Sequence, residues 1–152
     1  MEEKQLAFLN RSLANLNLDR PKQALLDAEQ ATNPAMPSEK SLFRKARALY
    51  ELGDYQQSLE TLETLTQSFP GNKAATSEKD RINERLKEQQ TGEYNFKQMC
   101  KQAESTLPFI DCATFSAPVE IRESPGRGKG LFTTRAVSAG ELLLCEKAFA
   151  YL

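Results

Sequence analysis

The chain has 152 residues, 39% apolar and 27% charged, a composition that excludes wholesale disorder yet supplies little apolar material for a large compact core. Its 20 Lys and Arg stand against 21 Asp and Glu, so no global charge favours nucleic acid or an anionic membrane as a partner. No apolar run reaches the length of about eighteen residues that suggests a membrane span, and Met1-Glu2-Glu3-Lys4 does not open like a secretory signal.

These exclusions lead to the expectation of an intracellular protein, in cytoplasm or nucleus. Cys100, Cys112 and Cys145 show no C-x-x-C spacing, and the chain has no histidine, so no metal site is expected from these residues. The cysteines read as small buried apolar residues or indifferent thiols.

From the N-terminus the first signal is self-similarity. Setting residues 10–18 above residues 44–52, an offset of 34, aligns Ala14 with Ala48 and Leu18 with Leu52, and the same offset carries Leu25 to Leu59 and Glu29 to Glu63. In the second copy, Ala48, Leu49, Leu52, Tyr55, Leu59, Leu62 and Leu65 keep helical spacing on both sides of a Gly53-Asp54 turn, and Pro70-Gly71-Asn72 closes the unit. That pattern predicts two antiparallel helices per copy. The first copy has Asp19 where the second has Gly53, and Pro21 where the second has Tyr55; Pro21 fits the first turn of a helix, where its missing N–H costs nothing.

A 34-residue helix-turn-helix period with Gly53, Tyr55, Pro70 and Ser58 in the usual alanine place resembles the tetratricopeptide repeat (TPR) family. The resemblance implies a concave face lined by the first helix of each repeat and used to bind a protein or peptide. Asn10 and Arg44 hold the same repeat position and Lys40 lies one turn before Arg44, which is similar to part of the carboxylate clamp of TPR co-chaperones. On that likeness Asn10, Lys40 and Arg44 are the candidate peptide-binding residues, with Arg offering a planar fork and Lys a mobile charge to a carboxylate. The family clamp has two further members in a preceding repeat, and the same three residues also serve as an ordinary solvated helix face.

Residues 73–91 read as a long helix whose few apolar positions are chiefly Ala74, Ala75, Ile82 and Leu86, a narrow stripe suited to capping a repeat array. A break follows at Gly92, then a short helix over 95–104 carrying Phe96, Met99 and Ala103, then a connector over 105–117. The expected organisation is therefore 1–72 as two repeats, 73–117 as cap and connector, and 118–152 as something different.

Beyond Pro118 the pattern turns extended. Val119 and Ile121, then Leu131 to Thr134 with Val137, then Leu142 to Cys145 predict three short antiparallel strands, separated by Ser124-Pro125-Gly126 and Ala139-Gly140. The overall class is thus mainly α, ending in a short antiparallel β segment. Gly126, Gly128 and Gly130 permit left-handed backbone and close approach, but no helix follows them, which excludes dinucleotide and phosphate-loop readings; a ligand-free hairpin loop remains the plain alternative.

Arg127-Gly128-Lys129-Gly130-Leu131, followed by a strand, Ala139-Gly140-Glu141 and a further apolar strand, strongly resembles the start of a SET domain, closest to its SET/MYND branch and to fungal proteins that place TPR repeats ahead of SET. The resemblance implies an S-adenosylmethionine-dependent protein lysine methyltransferase, with Arg127, Gly128, Lys129 and Gly130 in the cofactor-contacting loop. The family's catalytic segment contains an Asn-His pair and is followed by a catalytic tyrosine. With no histidine and with Tyr151 too early to be that tyrosine, the chain is expected to hold no catalytic residue. Tight cofactor binding is not expected of it alone, and it is expected to act at most as a peptide-binding module, whether as the N-terminal portion of such an enzyme or as a self-standing, co-chaperone-like adaptor with a vestigial SET segment.

Overall fold

A computed structural model of the chain describes residues 2–33, 36–105, 110–116 and 118–146. Tyr151 lies outside them. The described residues form α1 (Glu2–Asn17), α2 (Pro21–Ala31), α3 (Glu39–Glu51), α4 (Tyr55–Ser68), α5 (Lys73–Thr91), α6 (Phe96–Ala103), β1 (Val119–Ser124) and β2 (Gly128–Thr133). Among the described residues the chain is mainly helical and has a short antiparallel sheet near its C-terminal end, as its patterning predicts, though with two strands rather than three. It divides into two compact units, Met1–Asn83 and Glu84–Leu152, and the division falls inside α5.

In the first unit, α1 with α2 and α3 with α4 are two helical hairpins whose turns obey the same rule. Gly53 sits at φ 77° and Asp19, 34 residues earlier, at φ 52°, so both turns need a left-handed residue and aspartate is among the few non-glycines that tolerate it. Pro21 opens α2, while Asp54 caps α4 by accepting from the Gln57 N–H at 3.1 Å.

The helices of each hairpin approach closely at one pair of small residues. Ser12 donates to the Ala24 carbonyl at 2.8 Å in the first hairpin, and Ser58 donates to the Ala46 carbonyl at 2.7 Å in the second. These are the same two positions shifted by 34, with the hydroxyl moved to the opposite helix, and all four residues are at most 1% exposed. A larger side chain at either position would force the backbones apart. Leu49, Leu62 and Leu65 complete the core beside them, with Tyr50 packed edge-on against Tyr55.

The N-terminal half of α5 joins this unit through Ala75 and Ile82, both at most 1% exposed, and its Arg81 guanidinium lies 4.1 Å from the Tyr50 ring centroid. Asn72 caps the helix by accepting from the Ala75 N–H at 2.8 Å. Of the stripe read from the sequence, Ala75 and Ile82 are buried, but Ala74 is exposed and Leu86 is half-buried. The buried row continues instead through Arg85 and Glu88, which lie at helical spacing from Ile82 whereas Ala74 points away.

In the second unit, Gly92 at φ 71° ends α5, and Asn95 caps α6 by accepting from Gln98 N–H. β1 and β2 pair antiparallel with Val119 opposite Thr133 and Ser124 opposite Gly128. The third predicted strand is not one. Residues 142–145 make only an isolated bridge, Phe115 opposite Leu144, supported by Cys145 N–H on the Thr114 carbonyl at 2.9 Å. Their partner is the irregular 114–116 segment rather than β2, and an irregular partner cannot sustain a ladder.

Candidate functional site

The glycine-rich loop is the tip of the β1–β2 hairpin. Pro125 and Gly126 occupy the centre of a turn closed by Arg127 N–H on the Ser124 carbonyl at 2.9 Å, and Gly126 takes φ 71°, which is the type II geometry that requires glycine at its third position. Gly128 follows at φ 77° with open space where a Cβ would stand. Gly130 has a different reason: a Cβ there would lie 2.9 Å from the Phe132 ring. That ring in turn carries the Arg122 guanidinium 4.1 Å from its centroid.

Of the four predicted cofactor residues, Arg127, Gly128 and Lys129 are exposed and Gly130 is half-buried. They form a cationic tip open to close approach, without walls of their own. On the hairpin's other face the cross-strand pair Ile121 and Leu131 is 56% and 43% exposed, an apolar surface without cover among the described residues.

The second candidate is a groove in the helical unit, with a cavity volume of about 260 Å³. Lys40, Arg44 and Arg47 line it at the i, i+4 and i+7 positions of α3, hence on one face. Leu13 and Leu16 of α1 and Phe43 of α3 supply its apolar part. Its lining includes one carboxylate, Glu39, which accepts from the Asn72 amide at 2.9 Å.

The Arg44 Nη1 atom is buried with no hydrogen-bond partner among the described residues, and burial lowers the guanidinium's pKa from its ordinary value. A buried donor left unpaired costs about 1–3 kcal/mol. Of the residues predicted for peptide binding, the structure brings Lys40 and Arg44 together here, whereas Asn10 is exposed and does not line the groove. Arg47 and Phe43 were missed, although the spacing of 40, 44 and 47 is the signal that finds Arg47.

A third cluster went unseen in the sequence. Arg85, 2% exposed, makes a bidentate pair with Glu88 at 2.7 and 2.8 Å and donates through Nη1 to the Asp111 carbonyl at 2.7 Å. Glu88 also accepts from the Ala113 N–H at 2.8 Å, and the Tyr94 hydroxyl donates to the Ala113 carbonyl at 3.1 Å. Every one of these groups is used in holding the 111–113 segment against α5 and Tyr94, so the cluster is structural.

Beside it, Cys112 is a free thiol pushed up to about 12 by burial first, and then by the neighbouring Cys145 thiol and by Glu88. Such a thiol carries almost no thiolate at neutral pH. Among the described residues, no group of three His, Cys, Asp or Glu side chains could hold a metal ion, and no helix is long and apolar enough to cross a membrane.

No protein-family model matches the chain, and no solved structure matches it. A curated relative from Gibberella zeae, named "Methyltransferase", is 83% identical over 151 residues, covering 99% of this chain and 21% of the relative. Over nearly all of its length, then, the chain is similar to part of a protein named a methyltransferase. It spans about a fifth of the length of that relative.

Proposed function

We propose that the chain is a portion of a SET-type protein lysine methyltransferase, in which a TPR-like array precedes the first strands of the SET domain. The observation that carries this reading is the 83% identity to a methyltransferase of which the chain matches 21%. Two features agree with it: the Pro125 to Gly130 hairpin with its left-handed glycines, and the 34-residue equivalence of the two helical hairpins down to the Ser12–Ala24 and Ser58–Ala46 contacts.

S-adenosylmethionine, when bound, would supply a methyl group on a sulfonium, and the acceptor would be a neutral lysine amine of a protein. In this chain, Gly126 and Gly128 leave the hairpin tip open to close approach, and Arg127 and Lys129 place positive charge beside it for a carboxylate. An exposed tip without enclosing walls holds a ligand weakly, because solvent screens its charges and little surface is buried. The chain by itself is therefore inactive.

The helical unit contributes protein binding. Its groove, with Lys40, Arg44 and Arg47 outside any ion pair among the described residues and lying beside Leu13, Leu16 and Phe43, suits an acidic peptide with an apolar neighbour. This activity stands whether the chain works within the longer enzyme or as an adaptor.

Calorimetric titration with S-adenosylmethionine compares the chain with the full-length relative. Saturable heat is expected from the relative and none at millimolar ligand from the chain. Absence of binding by the relative would remove the cofactor assignment, and tight binding by the chain would contradict the open-tip argument.

A further inference from the structure

The groove's charge is not matched by a single carboxylate. Lys40, Arg44 and Arg47 face one acid, Glu39, leaving a formal surplus of two positive charges, and among the described residues no ion pair takes up any of the three cations. Glu39 is itself engaged by Asn72. The Nη1 atom of Arg44 is buried without a hydrogen-bond partner among the described residues.

We infer that the occupant of this groove is a phosphoserine- or phosphothreonine-containing peptide with a bulky apolar residue beside the phosphate, an inference that rests on the peptide-binding reading above.

A phosphate monoester carries about −1.5 to −2 charges near pH 7 and three strong acceptor oxygens, against one charge and two oxygens for a carboxylate. Two guanidinium forks and one ammonium, spread along about 10 Å of α3 by the helical rise, offer donors to all three oxygens. Leu13, Leu16 and Phe43 beside the cations distinguish a peptide from a free phosphate, since inorganic phosphate leaves that apolar surface wet. The volume of about 260 Å³ suits one or two side chains rather than a folded partner.

Three end-capped hexapeptides of one sequence, with a leucine on each side of a central phosphoserine, glutamate or serine, are titrated into the isotopically labelled chain. Amide shifts are followed by nuclear magnetic resonance, with inorganic phosphate as a fourth titrant. Expected are shifts at residues 13–16 and 40–47, with the phosphopeptide binding at least tenfold more tightly than the glutamate peptide and than inorganic phosphate. Arg47→Ala should reduce phosphopeptide affinity to the level of the glutamate peptide, and Arg47→Lys should lie between.

Equal affinity for glutamate and phosphoserine would overturn the dianion preference and leave the peptide reading standing. Equal affinity for inorganic phosphate would overturn the peptide partner. Shifts confined to other residues, or none with any peptide, would remove both readings. Each variant's own spectrum reports whether it is folded.

Discussion

At the scale of single residues, the helical unit owes its geometry to a few positions with no freedom. Asp19 and Gly53 must both be left-handed, and Ser12 with Ala24, like Ala46 with Ser58, must be small. The alignment made the equivalence of these positions legible, but not the crossed hydroxyl, because a serine in an alanine place says nothing of which carbonyl it will reach. Asp27 was equally silent: only 4% exposed, it accepts two bonds from Arg11 at 2.6 and 2.9 Å and one from Asn15 at 3.0 Å.

The Arg11 hydrogen bonds hold the Asp27 carboxyl below its ordinary pKa, against the opposing effect of burial. A depressed carboxylate contributes stability that is present above its unfolded value, about 3.9, and is lost as pH falls through the lower folded value. Asp27→Asn should therefore cost about 1 kcal/mol at pH 7, kept small because Arg11 is largely solvated. In urea titrations the gap between variant and wild type should hold from pH 7 to 5 and close below about pH 4; a gap independent of pH would contradict the assignment.

At the scale of elements, apolar periodicity revealed the helices, α5 over 73–91 included, but misjudged which residues of α5 are buried. Its charged residues suggested a solvated face, yet Arg85 and Glu88 continue the buried row of Ala75 and Ile82. A charge on a helix is assigned to solvent unless its partner is known, and the partners here, Asp111 and Ala113, lie in a connector without periodicity. The third strand failed for a related reason. Leu142 to Cys145 have strand-forming side chains, but pairing depends on a neighbour, and theirs is the irregular 114–116 segment.

Arg85→Ala strips a buried carboxylate of its counter-ion and should destabilise the second unit by about 3–5 kcal/mol. The double variant Arg85→Met with Glu88→Leu removes both charges and leaves chiefly the Ala113 N–H and the Asp111 carbonyl to re-pair, so it should cost less than the single change. Hydrogen exchange at residues 111–116 reads both effects, and a single variant as protected as wild type would refute the structural role of the Arg85–Glu88 cluster.

At the scale of the whole molecule, the glycine loop and the groove differ in how far the sequence exposed them. The loop's turn chemistry was fully written in Pro125, Gly126 and Gly128, whereas Gly130 answers to the Phe132 ring, which no local pattern announces. In the groove, Lys40 and Arg44 were found and Arg47 passed over, while Asn10 entered by family likeness and stands outside the lining. Both regions have open surfaces, the exposed Ile121 and Leu131 pair and the three cations without an ion pair among the described residues. Such surfaces fit a chain that matches only 21% of a much longer relative.

The most direct test of that account is a methyl-transfer assay with radiolabelled S-adenosylmethionine and a lysine-rich protein extract, run on the 152-residue chain and on the full-length Gibberella relative. The account predicts label on protein lysines with the relative and none with the chain. Lysine methylation by the chain alone, or transfer by the relative to an acceptor other than protein lysine, would contradict it.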